Sequence, residues 1–229
     1  MGGSCSQCLS LRYSVLNELN ENERNEIRKC SLTINLKKGQ KIFEQGYDSE
    51  GVFCIKKGKV KQLIETPGGE SITVGLYSEK GVIGHHSLIA NKNFYTASCL
   101  TDSVVCFLPQ PVLARYLETS PAFAHRVKDI LSDEFAELNS IILSLRSKSV
   151  TQRMAERLIK LKNIFGTDDK NCIDVELTKE ELGNLIGTSI ESVFRTLSSF
   201  RSKKYIDIEG RKIRILNEAK LRSLGRVPV

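Results

Sequence analysis

The chain has 229 residues, of which 40% are hydrophobic and 27% charged. This composition is typical of a folded globular protein of one or two domains. No apolar run approaches the ~20 residues of a membrane span, and no secretory signal pattern is visible, so we expect a cytoplasmic protein without a membrane partner. The net charge is +7, and residues 192–229 carry all of it, with ten Lys and Arg against three Asp and Glu. In residues 1–191, the 24 basic (34 − 10) and 24 acidic (27 − 3) residues cancel. A polyanionic partner for the C-terminal part is therefore favoured.

The N-terminal half is predicted to form a β domain, residues 1–120. An amphipathic helical pattern over residues 15–30 comes first. Short alternating or β-branched runs then follow from Leu32 to Pro109, separated by turn signals such as Lys38-Gly39 and Lys57-Gly58. Regular short strands with glycine turns predict a sandwich or barrel.

A long helix is predicted next, over residues 121–148, with Ser120-Pro121 as its cap and first-turn proline. Its apolar residues are spaced alternately four and three apart, which is a heptad seam over two repeats. Such a seam needs a partner helix, and we expect a parallel homodimer. The predicted interface consists of Leu131, Phe135, Leu138, Ile142 and Leu145.

Residues 149–229 are predicted to form a second domain with two short helices joined at Gly187. Thr178 and Glu181 have the spacing of a capping box for the first helix. Thr188 and Glu191 have the same spacing for the second helix, with Ser189 as an alternative cap. A helix, a short turn with glycine and another helix are typical of a helix-turn-helix. The alternating run after Tyr205 predicts a two-stranded hairpin.

The second helix has two different faces. Val193, Leu197 and Phe200 follow the spacing of a buried face. The opposite face carries Glu191, which can accept from cytosine N4, and Arg195, which can bind guanine O6 and N7. The predicted DNA-binding residues are Thr178, Thr188, Ser189, Ile190, Glu191, Phe194, Arg195, Ser198, Arg201, Lys203, Arg211 and Lys212.

The motif LTKEELGNLIGTSIESVFRTL, residues 177–197, and glycines 39, 46, 58 and 84 resemble the Crp/Fnr transcription regulators across nearly the whole chain. The resemblance implies an α+β fold: an antiparallel β-roll (a double-stranded β-helix), a long dimerisation helix and a winged helix-turn-helix. It also implies a homodimer on near-palindromic double-stranded DNA with half-sites about one helical turn apart, and RNA polymerase as a further partner. Ile190 replaces the Arg of the cyclic-AMP branch, and Phe194 replaces the Ser of the oxygen-sensing branch.

The resemblance places an effector pocket in the roll, where cyclic-nucleotide-binding members use Glu for the ribose and Arg with Ser for the phosphate. Here His85 stands for the Glu and Tyr95 for the Arg, so the phosphate loses its main charge partner. We therefore do not expect cyclic AMP as the ligand, and the effector is left unidentified. The pocket residues are Ile83, Gly84, His85, His86, Ser87, Tyr95 and Thr96.

The oxygen-sensing branch holds an iron–sulfur cluster with four cysteines. Cys5 and Cys8 resemble its C-x-x-C, and Cys106 falls at its roll position, but Ser14 stands at the third N-terminal position, with Cys30 the nearest substitute. An iron–sulfur cluster, zinc on the same thiolates, a Cys5–Cys8 redox pair and plain thiols all stay open.

Three further hypotheses about function are a histidine metal or haem site, an enzyme, and a regulator without an effector. One of His85 and His86 could bind haem or a metal ion together with a distant ligand. A cupin-like metalloenzyme would need several histidines, and the chain has three in total. No Ser/His/Asp triad, phosphate-binding loop or H-E-x-x-H motif is present, so we predict that the protein is not an enzyme. A regulator without any effector stays open.

Overall fold

The structure, a computed structural model, describes residues 15–226. They fall into two units: residues 15–64 with 75–137, and residues 65–74 with 138–226. Within the described range, no helix combines the length and the apolar character needed to cross a membrane. The predicted boundaries at 120/121 and 148/149 stay predictions.

The helical pattern predicted over residues 15–30 is confirmed, but it is divided between two helices. A short 3-10 helix covers Val15–Glu18, and helix α1 covers Glu21–Cys30. The side chain of Asn20 accepts from the N–H of Glu23, while the carboxylate of Glu23 accepts from the N–H of Asn20 at 2.7 Å. This capping box satisfies two backbone donors and starts a new helix at residue 21.

Two four-stranded sheets build the β-roll, and the registered pairs are antiparallel, as predicted. One sheet has the order β1-β8-β3-β6 and the other the order β2-β7-β4-β5. The strands are β1 (Leu32–Leu36), β2 (Lys41–Phe43), β3 (Gly51–Lys57), β4 (Val60–Glu65), β5 (Ser71–Tyr77), β6 (Val82–Ile83), β7 (Thr96–Cys99) and β8 (Ser103–Pro109).

Strand β3 is buried on both faces because it separates two apolar cores. Side chains alternate across a strand, so Phe53 and Ile55 pack with residues of both sheets. Val52 and Cys54 point the other way, into a core completed by the helices. These are helix α1, helix α2 (Gln110–Thr119) and the first part of helix α3 (Pro121–Ser147).

Helix α3 begins where Ser120-Pro121 predicts it. The hydroxyl of Ser120 accepts from the N–H of Phe123 at 3.3 Å, which satisfies one of the donors that a helix leaves unpaired in its first turn. The helix is 27 residues long. It is therefore the longest helix in the described part of the chain.

The second unit holds the predicted helix-turn-helix and wing. Helix α4 (Val150–Phe165) ends at Gly166 as predicted and packs against helices α5 (Lys179–Ile186), α6 (Ile190–Ser202) and α7 (Glu218–Gly225). Strands β9 (Ile206–Glu209) and β10 (Lys212–Ile215) form the antiparallel hairpin, with Gly210 in its turn. The α+β fold predicted from the sequence is confirmed.

Candidate nucleic-acid interface

The turn between α5 and α6 depends on two glycines. Gly187 ends α5 with φ +62°, a left-handed conformation that glycine adopts at little cost. Gly183, one turn earlier, has no such φ, but a Cβ there would lie 2.8 Å from the carbonyl oxygen of Thr188. The backbone of the turn at Thr188 thus packs directly against the backbone of α5 at Gly183. The sequence signalled Gly187, whereas the role of Gly183 emerges only from this close approach.

Arg153 of α4 stabilises the turn by hydrogen bonds to its backbone. Its guanidinium donates to the carbonyl of Ile186 at 2.6 Å and to that of Gly187 at 3.1 Å. These are carbonyls at the end of α5, which lack partners within the helix. Sequence reasoning missed Arg153, because a partner 33 residues away leaves no periodic signal.

Caps fix the start of both helices. Thr178 and Glu181 form the predicted capping box of α5, with distances of 3.0 and 2.8 Å. For α6, the predicted box of Thr188 and Glu191 is wrong, and the alternative is confirmed, since Ser189 accepts from the N–H of Ser192. Thr188 is used differently: its N–H donates to the carbonyl of Gly183 at 3.1 Å.

Helix α6 presents one face to the protein and one to solvent. Val193, Leu197 and Phe200 are buried as predicted. Glu191 and Arg195 are exposed on the other side, one turn apart. A hydrogen bond from the hydroxyl of Ser189 lowers the pKa of the Glu191 carboxyl, and the charge of Arg195 acts in the same direction. A lowered pKa keeps the Glu191 carboxyl in its carboxylate form, which is the acceptor that base reading at a cytosine requires.

The basic residues predicted to bind DNA beyond Arg195 occupy different environments. Lys203, at the end of α6, and Arg211, in the wing turn, are exposed. Lys212 instead pairs with Asp168 at 2.6 Å and fastens the wing to the loop after α4. Arg201 lies 3.8 Å from Asp207. Lys203 and Arg211 are thus the more accessible cations for a DNA backbone.

A recess of about 480 Å³ lies between the start of α5, the exposed side of α6 and the wing. Thr178, Ser198, Arg201 and Arg211 line it together with the ring of Phe194. The ammonium of Lys179 lies 4.9 Å from the centre of that ring. Lys179 was not singled out from the sequence, because one lysine in a polar first turn is unremarkable.

The predicted effector residues of the roll are all buried. They lie on β6, on or directly before a 3-10 helix (His85–Leu88), and at or directly before the start of β7. The hydroxyl of Thr96 accepts from the N–H of Gln45 at 3.1 Å. Burial raises the pKa of Tyr95, so its hydroxyl stays neutral. The buried residues of the set are Ile83, Gly84, His85, His86, Ser87, Tyr95 and Thr96.

The two adjacent histidines have separate partners. His85 Nδ1 lies 3.1 Å from the carboxylate of Glu134 on α3, and His86 Nε2 lies 3.2 Å from the side-chain oxygen of Asn93. The Asn93 amide nitrogen donates to the carbonyl of Asp48, which fixes its oxygen toward His86. His86 therefore carries its proton on Nε2. The two rings therefore contact different elements of the roll domain.

The predicted metal ligands cannot be brought together from the described chain. Cys106 is buried in the helix-side core of the roll, directly across from Cys54 on β3. Cys5 and Cys8 lie outside the described residues. Between residues 15 and 226, no group of three His, Cys, Asp or Glu side chains could hold a metal ion. A cluster on Cys106 would thus need at least one ligand from outside the described residues.

The heptad residues of α3 divide between exposed and packed positions. Phe135 and Ile142 are exposed over 66% and 63% of their surface. Leu131 packs against the roll core, and Leu138 and Leu145 are half-buried. Exposed large apolar side chains one heptad apart are typical of a helix with an external partner.

An antiparallel roll, a long helix and a winged helix-turn-helix together define a DNA-binding regulator with a cyclic-nucleotide-binding type of N-terminal domain. The cyclic nucleotide-binding domain family matches residues 33–120, and the Crp-like helix-turn-helix domain family matches residues 152–224. The chain belongs to the Crp/Fnr family of transcription regulators. It is a regulator and not an enzyme, which removes the cupin-like alternative.

Individual relatives agree with this assignment. The chain is 27% identical over 192 residues to Electron transport regulator A of Shewanella oneidensis, covering 83% of this chain and 77% of that protein. It is 24% identical over 226 residues to the Fumarate and nitrate reduction regulatory protein of Vibrio cholerae, covering 97% and 90%. A Crp/Fnr-family regulator from Eubacterium rectale has the same fold, with a TM-score of 0.78, 23% identity and coverage of 93% and 99%.

Proposed function

We propose that this regulator binds a near-palindromic operator as a homodimer and reads each half-site with Glu191 and Arg195. The observation that carries the proposal is the exposed pair on the outer face of α6, whose inner face is buried. A helix-turn-helix reads bases with the N-terminal part of its second helix. Glu191 and Arg195 occupy that part, and together they match a cytosine and a guanine.

The apolar surface of α3 and the geometry of this class support the proposed homodimer. One half-site contact of this size gives limited affinity, and two linked contacts multiply it. Phe135 and Ile142 are exposed in the isolated chain. A second copy of α3 would cover them, which supports a parallel two-helix seam.

We further propose that the roll responds to a signal other than a cyclic nucleotide. A cyclic phosphate needs a cation in its pocket. Among the described residues, none of the buried polar side chains is a lysine or an arginine. The pocket set instead presents neutral His86 and Tyr95, with the carboxylate of Glu134 beside His85. A signal there would act through α3, and RNA polymerase at the bound operator would give the transcriptional output.

The test is an unbiased selection of binding sites from random duplex DNA, followed by quantitative gel shifts. We expect an enriched near-palindrome whose half-sites are about 10 base pairs apart, centre to centre. Millimolar cyclic AMP should leave its affinity unchanged. Enrichment of one unrepeated half-site would contradict the dimer, and absence of any enriched sequence would contradict base reading.

A redox-sensing form is the second candidate. Its support is the Cys5-x-x-Cys8 motif, together with similarity to a relative named Electron transport regulator A. Anaerobic purification with an absorption spectrum and iron, zinc and sulfide analysis tests it. Iron and sulfide that are lost in a Cys5→Ser/Cys8→Ser variant would support a cluster. A colourless, metal-free protein whose DNA affinity ignores oxidants and reductants would contradict every redox version.

A further inference from the structure

Two large apolar side chains lie on the exposed side of α6, beside the proposed base-reading pair. Ile190 is 48% exposed and Phe194 is 54% exposed. They alternate with Glu191 and Arg195 at positions i, i+1, i+4 and i+5. At 3.6 residues per turn these four residues span an arc of about 140°, so the charged pair has an apolar border along one edge.

The ring of Phe194 is held on the outside of the helix. It lies under the ammonium of Lys179 at 4.9 Å from ring centre to nitrogen, and it borders the recess between α5, α6 and the wing. A cation over an aromatic face is an attractive contact. The ring is thus positioned before any DNA arrives, and Lys179 is a positioning residue for it.

The major-groove edges of the bases offer one apolar group, the 5-methyl of thymine. Arg195, the residue next to Phe194, is the proposed guanine reader. A phenyl ring beside it therefore meets the neighbouring base pair, where it gains from covering a methyl group and has no hydrogen bond to make. A polar side chain in that place would instead be desolvated without gaining a hydrogen bond.

We propose that Phe194 reads a thymine 5-methyl group in the base pair adjacent to the one read by Arg195. This inference rests on the proposed operator-reading function and names the chemistry of one further position in each half-site. Because Phe194 recognises only the methyl group, it discriminates thymine from uracil as well as from cytosine.

The experiment replaces each thymine of the selected operator, one at a time, with 2′-deoxyuridine, which removes only the methyl group and keeps the base pair. With the wild-type protein, we expect one thymine position per half-site, next to the guanine that Arg195 reads, to weaken binding about four-fold, the equivalent of one buried methyl group. A thymine outside the half-sites serves as the DNA control.

The matched variants are Phe194→Ala and Ile190→Ala. Phe194→Ala should bind operators with thymine and with uracil at that position equally, whereas Ile190→Ala should keep the four-fold difference there.

Uracil sensitivity that persists in Phe194→Ala, or that is absent at every position for the wild type, overturns the inference while operator binding itself stands. A selection that enriches no sequence overturns the proposed function instead, so the two failures are distinguishable. An unchanged operator affinity of Phe194→Ala, with reduced transcription, would assign the ring to a protein partner and also overturn the inference.

Discussion

The imidazole of His85 lies 3.1 Å from the carboxylate of Glu134, although the two residues are 49 positions apart. The contact joins the 3-10 helix after β6 to the middle of α3. Nδ1 donates to the carboxylate, and in the described structure Nε2 is buried without a hydrogen-bond partner. This link connects the candidate effector residues with the helix that carries the proposed dimer seam.

Removal of the carboxylate from this pair should destabilise the roll. Glu134→Ala leaves a buried N–H without an acceptor, so we expect the free energy of unfolding to fall by about 1–3 kcal/mol. Glu134→Gln retains an acceptor oxygen and should lose less. Urea unfolding at one fixed protein concentration measures both changes, since a dimer's stability depends on concentration. Equal losses in the two variants would mean that the hydrogen bond contributes nothing.

Stability should decrease on acidification because of His86. Burial lowers the pKa of His86, although its hydrogen bond with Asn93 and the charge of Glu134 oppose the effect. The unfolded chain then takes up a proton near pH 6.5 that the folded chain does not bind. Stability is therefore fully present above that pH and declines toward the lower folded pKa, by up to about 1.4 kcal/mol per pH unit.

Thermal unfolding of His86→Gln between about pH 7.5 and 5.5 checks this sign. The variant should show a smaller loss on acidification than the wild type. His125, on α3 with an exposed side chain, supplies the control His125→Gln, which should behave as the wild type does. The same pH slope in all three proteins would contradict the assignment to His86.

Base reading by Arg195 predicts a loss confined to specific sites. Arg195→Ala should weaken operator binding by about 1–3 kcal/mol per half-site while nonspecific binding changes little. Arg195→Lys keeps the charge but loses the bidentate fork, so it should also lose discrimination at the guanine. Competition gel shifts with single-base operator variants measure this. An equal loss on all DNA sequences would make Arg195 a phosphate contact.

Lys203 should behave in the opposite way. It is exposed at the end of α6, and Lys203→Ala should weaken binding on every sequence. The slope of log affinity against log salt should become shallower by about one for each lost phosphate contact. Lys220→Ala, which removes an exposed lysine of α7 outside the predicted interface, is the matched control. An unchanged salt slope would remove Lys203 from the interface.

The dimer seam should fail when a charge enters it. Ile142→Asp places a carboxylate where the second copy of α3 is proposed to pack, and we expect monomers in sizing experiments together with a loss of palindrome binding. Ser140 is exposed two residues earlier, on the opposite side of the helix, so Ser140→Asp should remain dimeric. A persistent Ile142→Asp dimer would move the interface elsewhere.

The helix-turn-helix was largely predictable because its signals are local. Thr178 and Glu181 act within one helical turn of each other, and the left-handed Gly187 ends the same short helix. The error concerned one residue: Thr188 and Ser189 are both good caps by type. The backbone of Thr188 packs closely against Gly183 and donates its N–H to the carbonyl of Gly183 in α5. Ser189 is therefore the residue that caps α6.

The amino-acid sequence alone established the order of a β domain, a long helix and a helix-turn-helix with a hairpin, because periods of two and 3.6 residues and the basic C-terminal segment are visible in any single chain. The resemblance to the Crp/Fnr regulators specified the β domain as a roll and the hairpin as a wing. Tertiary structure decided the partners. Arg153 with Gly187, Lys212 with Asp168, and His85 with Glu134 are 34, 44 and 49 residues apart. Only the packing of separate elements brings such side chains within hydrogen-bond distance, and no local pattern records it.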